Sequence, residues 1–140
     1  MIPPIFKLQK QRTMETNNGT LYERLGGIKG ITVIVDNIVE AHMSNPDVKA
    51  RFLPLKDDPK HFAEVRQHLI NFLAAGSGGP EQYTGKDMLS AHRGMNINEG
   101  EYMKVIDDIL SALDKSKIDD QTRKDVLAIA YSLKDQMIHV

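Results

Sequence analysis

Three observations predict an all-α domain. Apolar residues return every three to four positions over stretches too long for one strand, as at Ile31, Ile34, Val35, Ile38 and Val39. Helix boundaries are written in local chemistry, with an acceptor before proline at Asp58-Pro59 and glycine-rich stops at Gly26-Gly27 and in the GSGGP of residues 76–80. No run alternates apolar and polar residues as a half-buried strand does.

The elements follow in order. Residues 1–19 stand apart: Lys7, Lys10 and Arg12 make them basic, and METNNG closes them with turn-forming residues. They read as a short extension, with a turn or two of amphipathic helix around Ile5 to Leu8, ahead of a domain over 20–140. Residues 21–25 form a short helix that Gly26-Gly27 stops, since glycine tolerates the left-handed conformation needed there. From 28 to 44, the β-branched Ile31, Val33, Ile34 and Val35 would also suit a buried strand. The helical period continues into Met43, and that length decides for a helix. Asn45-Pro46 ends it, and 47–52 forms a single turn. Asp58 and Pro59 open a helix that runs to about Ala75. A short helix over 86–91 carries His92 near its end. Asn98, with Glu101 three residues later, resembles a capping box and opens a helix to about Leu113. Asp119 or Asp120 caps a last helix reaching about Ile138, and no internal repeat is present.

Composition narrows the function. Eighteen basic and 19 acidic residues leave a formal charge of -1, so no long-range field favours a nucleic acid. The absence of cysteine removes disulfides, thiolate zinc sites, iron–sulfur clusters and Cys-x-x-Cys-His haem attachment, so any metal must use nitrogen or oxygen ligands. The opening MIPPIFKLQKQR is far short of a signal-peptide core, and no apolar run is long enough to span a bilayer. The expectation is a cytoplasmic monomer, in which the Asn18-Gly19-Thr20 sequon has no use.

Two histidines, His68 and His92, flank the glycine-rich break between two helical stretches. With about 100° per residue and Val65 as zero, Leu69 falls near 40°, Phe72 near -20°, His61 near -40° and His68 near -60°. His68 therefore flanks the apolar stripe, as does His61. Two readings are open for such histidines. One is a hydrogen bond to a carbonyl or water, and the other is ligation of iron, for which neutral imidazole is well suited when sulfur is absent. Other chemistries fit less well. Gly79 to Lys86 is one residue too long for a phosphate-binding loop and lacks its Ser or Thr. Glu64 between His61 and His68 lacks the spacing and third ligand of a hydrolytic zinc site, and no nucleophile elbow is present.

LYERLGG at 21–27, Phe52 in its short turn, GGPEQYTG at 78–85 and MLSAHRG at 88–94 together resemble the group I truncated hemoglobins. The resemblance extends from 20 to about 138 and implies a two-over-two helical sandwich around a b-type haem (iron protoporphyrin IX). His92 matches the proximal ligand, Phe52 the aromatic that packs on the porphyrin, and Tyr83 a tyrosine near the propionates. Val65, Leu69, Phe72, Met88, Tyr102 and Ile106 are the further residues expected around the haem, with Met95 and Val105 as pocket or core. Val39 stands where the family usually has an oxygen-binding tyrosine, and Val65 and Leu69 where polar residues often help. His68 matches the position used as sixth ligand by bis-histidyl members.

For two imidazoles to share one iron, with bonds of about 2 Å on each side, their nitrogens must come within roughly 4 Å of one another. His61 is the alternative distal group, about 10 Å from His68 along the helix and nearer the pocket mouth. His42 and His139 read as surface or helix-end residues. The implied function is reversible binding of O2, CO or NO, with both His92 and His68 on the iron at rest. An enzymatic alternative is nitric oxide dioxygenation with a reductase partner, or electron transfer.

Overall fold

The computed structural model describes residues 19–140, so the basic extension expected over 1–19 lies, apart from Gly19, outside the described residues. Helix α1 is Leu21–Arg24, α2 Gly27–Ser44, α3 Lys49–Phe52, α4 Pro59–Gly76, α5 Met88–His92, α6 Glu99–Lys115 and α7 Asp120–Ser132. Single 3-10 turns cover Leu53–Asp57 and Lys134–Gln136.

Helices α1, α4, α5, α6 and α7 start where a side chain satisfies a free backbone N–H group, while α2 and α3 start without one. A reciprocal capping box forms between Thr20 and Glu23 at α1. Asp58 accepts from the His61 N–H at 3.1 Å ahead of Pro59. At α6 only half of the expected box forms. Asn98 accepts from the Glu101 N–H at 2.8 Å, but the Glu101 carboxylate turns instead to Arg51 and ties α3 to α6. That bond also holds the Arg51 guanidinium above its ordinary pKa. Between α1 and α2, Gly26 takes φ of 95°, a conformation that a Cβ would oppose.

Helix α2 packs against both α6 and α4, α6 against α7, and α1 against α2 and α7. This gives two helix pairs, α2 with α4 and α6 with α7, around one core. Leu21, Leu25, Ile31, Ile34 and Leu113 are at most 1% exposed there, each worth about 1.5–3 kcal/mol in burial. Arg24 Nη1 donates to Thr122 Oγ1 at 3.1 Å and pairs with Asp125 at 2.9 Å, fixing α1 on α7. A second cluster gathers Ile97, Tyr102 and Ile106, with Met95, Met137 and Ile138 against it.

The last helix ends at Ser132, short of the expected Ile138. Beyond it the chain pairs with the stretch after α5: Ile138 bridges Ile97, the His139 N–H donates to the Ile97 carbonyl at 2.9 Å, and the Gly94 N–H donates to the Val140 carbonyl at 3.0 Å. These tertiary hydrogen bonds replace those that a continued helix would have made. Among the described residues no helix is long and apolar enough to cross a membrane.

Candidate functional site

Helix α5 is built to present His92. Asp87 caps it by accepting the Ser90 N–H at 2.7 Å, and this bonding to Ser90 holds the Asp87 carboxyl below its ordinary range. His92 lies in the last turn, with Nδ1 2.7 Å from the Met88 carbonyl oxygen. A carbonyl can only accept, so the proton is on Nδ1, and in the neutral ring the lone pair lies on Nε2. The ring is thus oriented by its own helix while the nitrogen suited to a metal is uncommitted. The C-terminal pairing described above braces the chain just past this helix.

Across the loop from α5, the middle of α4 carries His68, which is exposed and flanks Val65, Leu69 and Phe72. Tyr83 from the loop meets two of the α4 side chains. It lies edge-on to His68, with ring centroids 6.0 Å apart at 78°, and to Phe72, at 5.1 Å and 80°. The Tyr83 hydroxyl donates to the Lys86 carbonyl. A Cβ on Gly85 would lie 2.5 Å from the Tyr83 hydroxyl oxygen, so a side chain there would push the tyrosine ring aside. Burial, and secondarily Asp87, raise the Tyr83 pKa. Leu69 remains 36% exposed and Val65 half-buried. His61 is exposed too, 4.0 Å from Glu64.

The remaining expected residues divide by burial. Phe52 is half-buried, and its ring lies 4.8 Å from that of His42. Met88 is half-buried against the main core, to which Phe72 also packs. Tyr102 is 5% exposed and donates its hydroxyl to the Ala130 carbonyl at 2.5 Å, while Ile106 is 4% exposed. Burial pushes the Tyr102 pKa up to about 12. Val39 is buried in the main core.

His42 corrects the sequence reading. It lies in the last turn of α2, as a helix-end residue would, but it is only 4% exposed and not at the surface. Its Nδ1 donates to Asp108 at 2.7 Å, and Asn45 Nδ2 donates to both oxygens of the same carboxylate at 3.1 Å. Burial lowers the His42 pKa, with Asp108 opposing the shift. A signal was available in the sequence, because His42 continues the stripe of Ile31, Val35 and Val39. Its partner, 66 residues away, has no local signal. His139 is exposed, with Nδ1 3.2 Å from the Asn96 side-chain oxygen.

The donor set bears on what could bind. Among the described residues, no three His, Asp or Glu side chains converge as they would around an ion held by protein alone. One oriented imidazole with a free Nε2, and across the loop a helix face with incompletely covered apolar side chains, fit a metal that already sits in its own macrocycle.

Comparison with known proteins follows the same line. The family model for bacterial-like globins matches residues 20–139. A group 1 truncated hemoglobin of Tetrahymena pyriformis is 29% identical over 119 residues, covering 77% of this chain and 94% of that protein. The group 1 truncated hemoglobin GlbN of Synechocystis sp. is 29% identical over 115 residues, covering 79% and 89%. The crystal structure of the T. pyriformis truncated hemoglobin in its Fe(III) form aligns with a TM-score of 0.77 at 25% identity, over 86% of this chain and 99% of that one. The 2/2 hemoglobin of Synechococcus sp. PCC 7002, in the cyanomet state and with covalently attached heme, shares the fold with a TM-score of 0.72 at 19% identity, over 84% and 95%.

Proposed function

The chain belongs to the bacterial-like globins, as a group I truncated hemoglobin and hence a haem-binding protein, and from that premise we propose that it holds a b-type haem on His92 and binds O2, CO or NO in competition with its own His68. The observation that carries this reading is the 2.7 Å contact of His92 Nδ1 with the Met88 carbonyl, which leaves Nε2 as the only ring nitrogen able to ligate. When bound, the haem would be held by His92, and its iron would supply a site for reversible binding of a diatomic gas.

The protein's own residues do the rest. His92 holds the iron, and its Nδ1–H bond fixes the ring and raises its basicity as a ligand. Phe52, Val65, Leu69, Phe72 and Met88 would keep water from the macrocycle, with Tyr83 beside His68 and Phe72. Val39, Val65 and Leu69 offer no hydrogen bond to a bound gas, so His68 is the polar group set to meet the iron on that side. An external ligand then binds only the fraction of molecules in which His68 has moved away, and its affinity falls by that fraction.

The ferric absorption spectrum at neutral pH tests the coordination. A low-spin six-coordinate spectrum in the wild type that turns high-spin in His68→Ala is expected, and a high-spin wild type would overturn it. After flash photolysis, CO should rebind at a rate that saturates with CO concentration. Steady consumption of NO with O2 under a reductase would assign the enzymatic alternative instead.

A further inference from the structure

We propose that Tyr83 is a fixed aromatic berth for His68, on which the imidazole rests when it is not directed at the iron, and that this berth sets the share of molecules open to an external ligand. The proposal rests on the bis-histidyl reading above and concerns what happens to His68 in the open state. Its basis is an asymmetry between the two rings. Tyr83 is held from several sides: its hydroxyl donates to the Lys86 carbonyl, its ring lies over Gly85 in space that a Cβ there would contest, and it meets Phe72 edge-on at 5.1 Å. His68 is exposed and makes no hydrogen bond among the described residues; its ring contact is the edge-on one with Tyr83, at 6.0 Å and 78°. Tyr83 is therefore the wall and His68 the moving part.

Edge-to-face geometry is the favourable one for aromatic rings, whose electron-poor rim meets an electron-rich face. An imidazole resting on Tyr83 and one directed at the iron are two positions of a single side chain. Whatever stabilises the first raises the open fraction, and a contact of this kind is worth about two- to tenfold in that equilibrium.

The test uses the hemin-loaded protein with Tyr83→Leu, which removes the aromatic face, and Tyr83→Phe, which keeps it but loses the bond to Lys86. Two readouts apply: the high-spin fraction of the ferric spectrum and the equilibrium affinity for CO. Tyr83→Leu should lower both about two- to tenfold, and Tyr83→Phe should lower them less. Repeating Tyr83→Leu in the His68→Ala background closes a double-mutant cycle. There the substitution should move both readouts much less than it does with His68 present, whereas a general loosening of the pocket would act equally in the two backgrounds. A six-coordinate wild type with no effect of Tyr83→Leu, or with the same effect in both backgrounds, overturns the berth alone. A wild type whose iron is high-spin and insensitive to His68→Ala overturns the bis-histidyl reading and the berth with it.

Discussion

Along α4 the two ends meet different surroundings. Ile70, Ala74, Ala75 and Gly76 are buried, the first two within the main core, whereas His61, Glu64, His68 and Leu69 on the same helix are exposed. The contrast is sharpest between neighbours, since Ile70 is 3% exposed and Leu69 36%. One leucine is half-covered by protein and the isoleucine beside it is fully covered, so the helix serves the core with one face and something other than protein with the next. The same division separates the two buried or half-buried histidines. His42 is closed in by Asp108 and Asn45, while His92 spends one nitrogen on its own helix and keeps the other free.

The largest effect should come from the core side. Ile70→Ala is expected to destabilise the hemin-loaded protein by about 2–5 kcal/mol in urea unfolding followed by circular dichroism. Leu69→Ala, one residue away and 36% exposed, should cost clearly less in the same unfolding. It should instead speed transfer of hemin to an acceptor globin, and an unchanged transfer rate would remove Leu69 from the site.

His42 gives a dependence on pH with a defined sign. Its folded pKa lies below the unfolded value of about 6.5, so the unfolded chain binds the extra proton first. The stability due to a neutral His42 is complete above that unfolded value and is lost as pH falls through the folded one. Urea titrations at successive pH values should show this loss in the wild type and a shallower slope in His42→Gln. An equal slope in both would mean that other groups govern the range.

The most localised effect belongs to the C-terminal pairing. Removing residues 138–140 deletes the hydrogen bonds from Gly94 and His139, each worth about 1 kcal/mol net, and the Ile138 contact with Ile97. Hemin transfer should quicken modestly while the α2, α4 and α6 core unfolds nearly as before. A core that unfolds much earlier would show that these residues support more than the stretch after His92.

What could be read from the sequence was whatever is local. The helical period carried α2 past its β-branched start, Asp58 and Asp119 capped where their oxygens reach the third N–H, and the glycine pairs stopped helices. His92 in the last turn of a short helix was equally legible, because its position follows from turn chemistry and the family resemblance. Contacts across the chain were not. Asp108 opposite His42, Glu101 opposite Arg51 and Tyr83 beside His68 join residues whose separation carries no periodic signal. The end of α7 at Ser132 differs from the expected Ile138 for the same reason, since its competitor is a pairing with residues 94–97 and not a local stop.

The most direct measurement of the central claim is a hemin titration of the purified protein and of His92→Gly, read at the Soret band. The wild type should take up one hemin per chain. His92→Gly should lose more than about a hundredfold in affinity, since even groups that merely orient a metal ligand are worth about 10–100-fold, and added imidazole should restore part of it. A wild type that stays colourless, or a glycine variant that binds hemin with an unaltered spectrum, would contradict the account.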